Sequence, residues 1–339
     1  TKQNFGVDLN LFDNQLKFTY DYYIDRRRDI LLQGGMAPLG FGFVSPYANF
    51  GKVDSWGWEF TAKWNQRIGD DFMWNIGVNL MMNDNEIIDR REAVQEYDYM
   101  YTKGYRIGAR SQQEFFSLYQ PGVTEEQYKA KYGVDMPVQF AQDKLMAGDC
   151  VYVDHNGDGI IDNNDNTHEL GCTDDPKYMI GINGGFTWKN FGFSMLWAGA
   201  WDVTRSISEL FRQPFWAADG SNKGGLLQYH VDNTWTVENQ DWDAKYPRAT
   251  FDRQSNNYVN SDFWEQDSKY LRLKNVQITY DFKFPFMETL KISNMQLALS
   301  GYNLLTFSPY IWGDPESKAS SSPSYPLNKT YTIALKLGF

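Results

Sequence analysis

Residues 154–165, Asp-His-Asn-Gly-Asp-Gly-Ile-Ile-Asp-Asn-Asn-Asp, hold the densest set of chemically capable side chains in the sequence. They fit a twelve-residue calcium loop. Oxygen donors fall at positions 1, 3, 5, 9 and 12 (Asp154, Asn156, Asp158, Asp162 and Asp165), the Ile160 carbonyl stands at 7, and Gly159 supplies the turn at 6. A hard cation needs this many oxygens, and the carboxylates crowded together would otherwise repel. Asp165 stands where an EF-hand carries Glu, a shorter arm suited to one oxygen or a water. No amphipathic helices flank the segment, so the expected setting is a loop on a β scaffold. An Asx-rich turn that orders itself without metal reads the same residues. Extracellular calcium modules bind at roughly 0.1–1 mM, so the expected role of Ca2+ is structural.

Cys150 and Cys172 bracket this loop. In an oxidising compartment they are expected to pair, closing a loop of about twenty residues and removing roughly 3 kcal/mol of unfolded-state entropy on the chain-entropy model. Catalysis finds little support. His155, His168 and His230 fall in predicted loops, and His168-Glu169 lacks the rest of a zinc-hydrolase motif. No Gly-x-Ser-x-Gly elbow occurs, and Gly40-Phe41-Gly42 is a lone G-x-G. The carboxylates cannot be placed by counting, and solvated, metal-binding or lumen-lining roles explain them better than a glycosidase pair. Candidate ligand contacts are loop aromatics instead: Trp216, Trp235, Trp242, Tyr310 and Trp312. An indole or phenol ring stacks on the apolar face of a sugar, although self-packing of the loops explains any single ring.

The elements that must position these residues alternate with a period of two. Tyr331, Ile333, Leu335, Leu337 and Phe339 are apolar or aromatic, and Thr332, Ala334, Lys336 and Gly338 lie between them. The same alternation runs through 5–11, 16–22, 56–64, 72–82, 180–188, 191–197, 276–282 and 295–299, which makes nine strands. Leu271 and Leu273 sit on the parity opposite to Val276, which predicts a bulge near Lys274-Asn275. Short links at 13–14, 67–71, 189–190 and 283–291 alternate with long ones at 24–52, 84–176, 202–268 and 304–328.

One greasy face, one polar face and this alternation of link lengths describe a transmembrane antiparallel β-barrel, with short turns in the periplasm and long loops outside. The segment 84–176 is then a long extracellular loop carrying the calcium-type loop, and 202–268 and 304–328 are further extracellular loops. Bacterial barrels have an even strand number, so nine strands imply the carboxy-terminal part of a larger barrel, 1–339 belonging to one barrel domain.

Composition agrees. The mean hydropathy of −0.57 comes with no run near the roughly 18 apolar residues of a membrane helix, because alternation hides the lipid face. The 17% aromatic content suits girdles at both interfaces, and a carbohydrate-binding surface explains part of it. A net charge of −11 argues against nucleic acid as a partner. Arg26-Arg27-Arg28 reads as a charge cluster at the outer leaflet or lumen, and no amino-terminal signal peptide is visible, as expected of a mature fragment.

The order of segments resembles the carboxy-terminal barrel half of the SusC/RagA family of TonB-dependent outer-membrane transporters. The matching pieces are Phe50-Gly51-Lys52-Val53-Asp54-Ser55-Trp56-Gly57-Trp58-Glu59, Gly148-Asp149 leading into Asp154–Asp165, and Pro176-Lys177-Tyr178. Ser268-Lys269-Tyr270-Leu271-Arg272-Leu273-Lys274-Asn275-Val276, Gly301-Tyr302-Asn303-Leu304-Leu305 and the terminal Phe339 continue the series. The resemblance implies a barrel of about 22 strands around a plug, a TonB box, and a surface lipoprotein lid of the SusD type. Plug, TonB box and amino-terminal barrel half are not in this chain. Cys150 and Cys172 depart from the family pattern. The implied activity is active import of an oligosaccharide, with peptide as the second choice of cargo. Two other classes compete: a calcium-stabilised surface adhesin and an outer-membrane barrel enzyme.

Overall fold

The computed structural model describes residues 1–33, 46–140, 145–216, 224–251, 256–317 and 327–339. Gly40-Phe41-Gly42 and part of the expected 304–328 link lie outside the described residues. Among the described residues one antiparallel sheet of nine strands dominates, its strands adjacent in chain order without a crossover. They are Lys2–Leu11, Leu16–Gln33, Tyr47–Ile68, Phe72–Asp89, Tyr178–Trp188, Phe191–Trp201, Tyr270–Phe282, Asn294–Phe307 and Thr330–Gly338. All nine expected strands are present. No helix among the described residues is long and apolar enough to cross a membrane, which says nothing of crossing by strands.

Register turns the alternation into two faces. Leu9, Phe18, Ala62, Val78, Ile182, Trp197, Leu273 and Leu305 are successive cross-strand partners, a continuous apolar row over eight strands. One residue along, the row reads Asp8, Thr19, Thr61, Asn79, Gly181, Ala198, Arg272 and Thr306. Because side chains alternate strictly across a sheet, a slip of one residue would turn every apolar group into the polar face, so the two rows fix the register together. Ile333 is 76% exposed and Phe339 84%, as a surface that meets lipid must be.

The turns are as tight as their residues allow. Trp188 pairs with Phe191 around Lys189-Asn190, with Lys189 at a positive φ of 52°. Gly69, at φ 63°, closes the turn before Phe72. The expected bulge is found at Lys274, which both neighbouring strands skip: Leu196 and Trp197 pair with Asn275 and Leu273, and the register to the following strand shifts between the same two residues.

Strand length differs from expectation. Two strands expected at 16–22 and 56–64 run over Leu16–Gln33 and Tyr47–Ile68, so the link expected at 24–52 is largely strand. The Arg26-Arg27-Arg28 run sits inside this extension, with Arg26 opposite Asp54 and Arg28 paired to the Asp54 carboxylate. Twenty-two residues at about 3.3 Å each reach some 70 Å, far beyond an apolar band about 25 Å tall. The extension therefore continues past the apolar band, where lipid no longer imposes the alternation, while the backbone ladder goes on; most of residues 26–33 are exposed and Phe50 is buried.

The buried core lies elsewhere. Leu118, Cys150, Tyr152, Ile161, Trp235 and Ala244 form one cluster, and Tyr246, Tyr258 and Trp264 a second. All of these come from the two longest links, which fold together as a cap at the end of the sheet opposite the tight turns. Small paired strands stiffen it: Phe115–Leu118 with Cys150–Tyr152, Val138–Gln139 with Ile160–Ile161, and Thr204–Ser206 with Glu265–Asp267.

Candidate functional site

Polar side chains hold the cap where no long strand can. Asn257 Oδ1 accepts from the Cys150 amide at 2.8 Å and Trp264 Nε1 donates to the Asn257 carbonyl at 3.0 Å. Tyr152 Oη donates to the Asn256 carbonyl at 2.8 Å. Asp149, almost wholly buried, receives Arg248 Nε at 2.9 Å and Asn257 Nδ2 at 2.9 Å. Cys150 and Cys172 are both buried free thiols, so the expected disulfide is not formed. The reason is local: Cys150 faces Asn257 inside the first cluster, whereas Cys172 Sγ lies 3.7 Å from the Leu170 carbonyl. Burial pushes the Cys150 thiol up, which keeps it protonated and inert.

The segment 154–165 is a closed loop. Asp154 accepts from the Gly157 and Gly159 amides at 2.6 and 2.9 Å, and Asp158 Oδ1 from the Ile160 amide at 2.8 Å. Asp158 Oδ2 accepts from Asn156 Nδ2 at 2.9 Å. Asp162 accepts from Asn164, and buried Asp165 bridges the amides of His155 and Asp162 at 2.9 and 2.8 Å. Burial raises the Asp165 carboxyl pKa, and the two amides partly offset the effect. An all-oxygen donor set suits a hard cation, but these Asx bonds already order the loop. Among the described residues no three His, Cys, Asp or Glu side chains converge as a metal-ligand group. His155 sits 3.2 Å from Glu114, which raises the imidazole pKa and lowers that of the carboxyl through their shared hydrogen bond.

The five candidate aromatics divide. Trp235 is 2% exposed, packed over Gly148, and its ring is part of the core. Trp216 and Tyr310 are half-buried and are not among the residues that line the cleft holding Trp242 and Trp312. Trp242 and Trp312 come together on the walls of one cleft of about 350 Å³, with Tyr229, Phe115, Glu265 and Gln266. Trp312 is held rigid, stacked on Phe211 at 4.8 Å and met edge-on by Tyr229 at 5.0 Å. Glu265 is neutralised by Arg110, whose Nε lies 2.8 Å away and whose Nη1 also reaches Asp174 at 3.1 Å.

Two elements missed by sequence reasoning position this cleft. Arg272, 3% exposed at the cap end of its strand, binds Asp314 at 2.8 Å and Glu316, and so ties the segment bearing Trp312 to the sheet. Gln266 reaches the same segment through the Pro309 carbonyl at 3.5 Å. Arg272 stands within a quoted motif, but nothing in its residue type gave it a partner 42 residues on.

An outward apolar row, a polar inner row, tight turns at one end and a folded cap at the other define a stretch of membrane β-barrel wall with its outer loops. No family model matches the chain. Two TonB-dependent receptors of Formosa agariphila, P3 and P26, are 25% and 26% identical to it over 98% of its length, covering 33% and 34% of their own. SusC of Bacteroides thetaiotaomicron is 23% identical over 100% of the chain and 32% of its own length. The chain is thus a homologue of TonB-dependent receptors, SusC among them, and spans about a third of the length of these relatives. The fold matches part of the RagAB peptide importer in its open-open state, with a TM-score of 0.75 at 20% identity, over all of this chain and 34% of that one. These relatives are receptors and transporters, not enzymes, in agreement with the non-catalytic reading.

Proposed function

We propose that this chain supplies wall and outer cap to a TonB-dependent transporter that imports oligosaccharide across the outer membrane. The observation that carries the cargo class is the cleft in which Trp242 and Trp312 meet beside Gln266 and a neutralised Glu265. Aromatic faces suit the C–H faces of sugars, and uncharged polar groups suit their hydroxyls. Strand Lys2–Leu11 is exposed along its whole length, and Thr330–Gly338 has a described partner on one side alone. Both edges need further strands, which the amino-terminal part of the same barrel would provide. The remaining partners are membrane lipid, a SusD-like surface lipoprotein and the TonB complex, the last reached through a plug that is displaced as cargo enters.

Purification from native outer membranes in mild detergent tests the assembly. Co-purification of a plug-bearing portion and a surface lipoprotein is expected; a lone chain of about 39 kDa would overturn the reading. Trp312→Ala is expected to weaken oligosaccharide binding about tenfold with the barrel still assembled, the scale of a lost aromatic stack. Unchanged affinity would remove this ring from the site. Peptide is the second reading, favoured by the likeness to the RagAB peptide importer and by exposed Asp243 and Lys245 at the cleft rim. Binding of peptides but not oligosaccharides to the purified complex would select it.

The calcium reading of Asp154, Asn156, Asp158, Ile160, Asp162 and Asp165 stands as a companion proposal: a weak structural site in the cap. At a Kd of about 1 mM, 10 mM Ca2+ is expected to stabilise the cap by about 1.4 kcal/mol. Amide-exchange protection of residues 150–165 measures it. The increment should vanish in Asp158→Ala, and no increment in the wild type would reject the site.

A further inference from the structure

We propose that a second cleft, on the outward face of the wall just inside the outer membrane border, seats one fatty acyl chain of an outer-leaflet lipid. The border can be read from the register. Phe5, Tyr22, Trp58, Met82, Tyr178 and Trp201 are successive cross-strand partners, a nearly all-aromatic row on the face that carries the apolar row. Tyr178 and Trp201 are stacked, their planes 7° apart and their centroids 5.1 Å apart. Ten residues further along the same strand, Trp188 pairs with Phe191 at the tight turn. That length, at about 3.3 Å per residue and a tilt of roughly 35–45°, spans about 25 Å along the membrane normal, the height of the apolar band. The row through Tyr178 and Trp201 is therefore the outer aromatic girdle, and the face between it and the turn meets hydrocarbon.

Gly199 interrupts that face. It lies between Trp197 and Trp201, where the alternation calls for another large side chain. A Cβ there would lie 3.0 Å from Ile180 Cγ2 and 3.3 Å from Leu271 Cδ1, so these two side chains lie over the glycine and take the space it leaves. Beside them is a cleft of about 540 Å³, lined by Ile180, Ile182, Leu271, Trp201 and Phe307 and reaching Lys269 at the level of the girdle. It is open to the membrane, with Phe307 60% exposed and Leu271 37%. Its lining runs from Trp201 down to Ile182, four residues or about 13 Å further into the band. At that depth the available occupants are lipid tails or another transmembrane wall. A concave apolar site that begins at headgroup level suits a single chain hanging from there, whereas a flat wall suits a flat wall. Lys269 Nζ lies 2.6 Å from the Asp267 carboxylate, both groups exposed, so the rim is neutral and the apolar lining does the holding.

The test uses the full transporter from native membranes, equilibrated in vesicles of phosphatidylethanolamine that carries a diazirine midway along one acyl chain. The protein is re-extracted in mild detergent, washed free of loosely held lipid, irradiated and mapped by peptide mass. Leu299 is the matched control. It is 42% exposed on the same face, and through Ile278 it pairs with Phe193, as far inside the turn-end border as Gly199 is inside the girdle. A seated chain is expected to label the peptides holding residues 180–182, 271 and 307 about tenfold more than the peptide holding Leu299. Leu271→Trp, which fills the cleft from a lipid-facing position, should cut labelling at 180–182 and 307 about tenfold. Ile182→Phe should act in the same direction, and the heat-dependent gel shift shows which variants assemble. Leu299→Trp and Lys269→Gln should leave the labelling unchanged. Equal labelling at Leu271 and Leu299, or labelling at 180–182 that survives both filling variants, would overturn the proposal. A loss in Lys269→Gln as large as in Leu271→Trp would also overturn it, because the headgroup would then do the holding. Cross-links between two transporter copies at Leu271 in place of lipid would make the cleft an interface between copies. Each of these failures leaves the import reading untouched, since the cleft is outside the barrel and takes no part in cargo binding.

Discussion

Gly148→Ala is expected to unfold the outer cap while the barrel wall stays assembled. Gly148 has φ +84°, a conformation that L side chains rarely adopt. A Cβ there would lie 2.2 Å from Cε3 of Trp235. The ring has no room to retreat: Trp235 is 2% exposed and sits in the cluster with Leu118, Cys150, Tyr152 and Ala244, and Trp242 lies 5.5 Å from it. The glycine backbone is also fixed, its N–H donating to the Tyr119 carbonyl at 2.9 Å and its carbonyl accepting from the Arg248 amide at 2.8 Å. Backbone strain and overpacking together should cost about 3 kcal/mol. Limited proteolysis of intact outer membranes would then cut the cap on the order of 100-fold faster. The heat-dependent gel shift of the folded barrel should not change. Wild-type resistance to protease would show that Trp235 can move, and the account of the cap core would fail.

The contrast between cap and wall in that experiment is also the contrast between what the sequence makes legible and what it hides. Strand Thr330–Gly338 announces itself because lipid and lumen impose opposite demands on neighbouring residues. The bulge at Leu273/Asn275 was readable for the same reason, as a break in parity. Residues 25–33 and 47–55 lost the signal once the strands passed beyond the apolar band, although Arg26 and Asp54 still pair across the ladder. In the cap nothing is periodic. Cys150 meets Asn257 107 residues away, and Asn156 and Asn257 are alike as letters although one turns a surface loop and the other is fully buried. Trp235 and Trp312 likewise had equal standing as ligand contacts. Gly148 and its neighbours decide between them, and those contacts arise only on folding.

Arg272→Met should release the segment that carries Trp312, and so remove cargo binding more completely than loss of the ring itself. Arg272 is 3% exposed and uses every face of its guanidinium: Nε to Thr306 Oγ1 at 2.9 Å, Nη2 to Asp314 at 2.8 Å, and Nη1 to Glu316. Lys274 at 2.5 Å and the Tyr270 hydroxyl at 2.7 Å complete the shell around Glu316. Burial pushes the Asp314 carboxyl up, but the hydrogen bonds from Arg272 and the Glu316 amide outweigh it, and the net shift is downward. The pair is therefore fully stabilising above the ordinary value of 3.8 and weakens as pH falls through the lowered one. Removing one partner of a buried pair strands the other, at about 3–5 kcal/mol. Arg272→Lys should recover little, because an ammonium cannot serve Thr306, Asp314 and Glu316 at once. Much of the loss is the penalty for uncompensated carboxylates. Adding Asp314→Asn and Glu316→Gln to Arg272→Met should therefore return most of the protease resistance of the cap. Oligosaccharide affinity should recover only as far as Trp312 regains its place on Phe211. If the single variant keeps wild-type resistance and affinity, the segment is held by something other than this cluster, and the wall does not position the cleft.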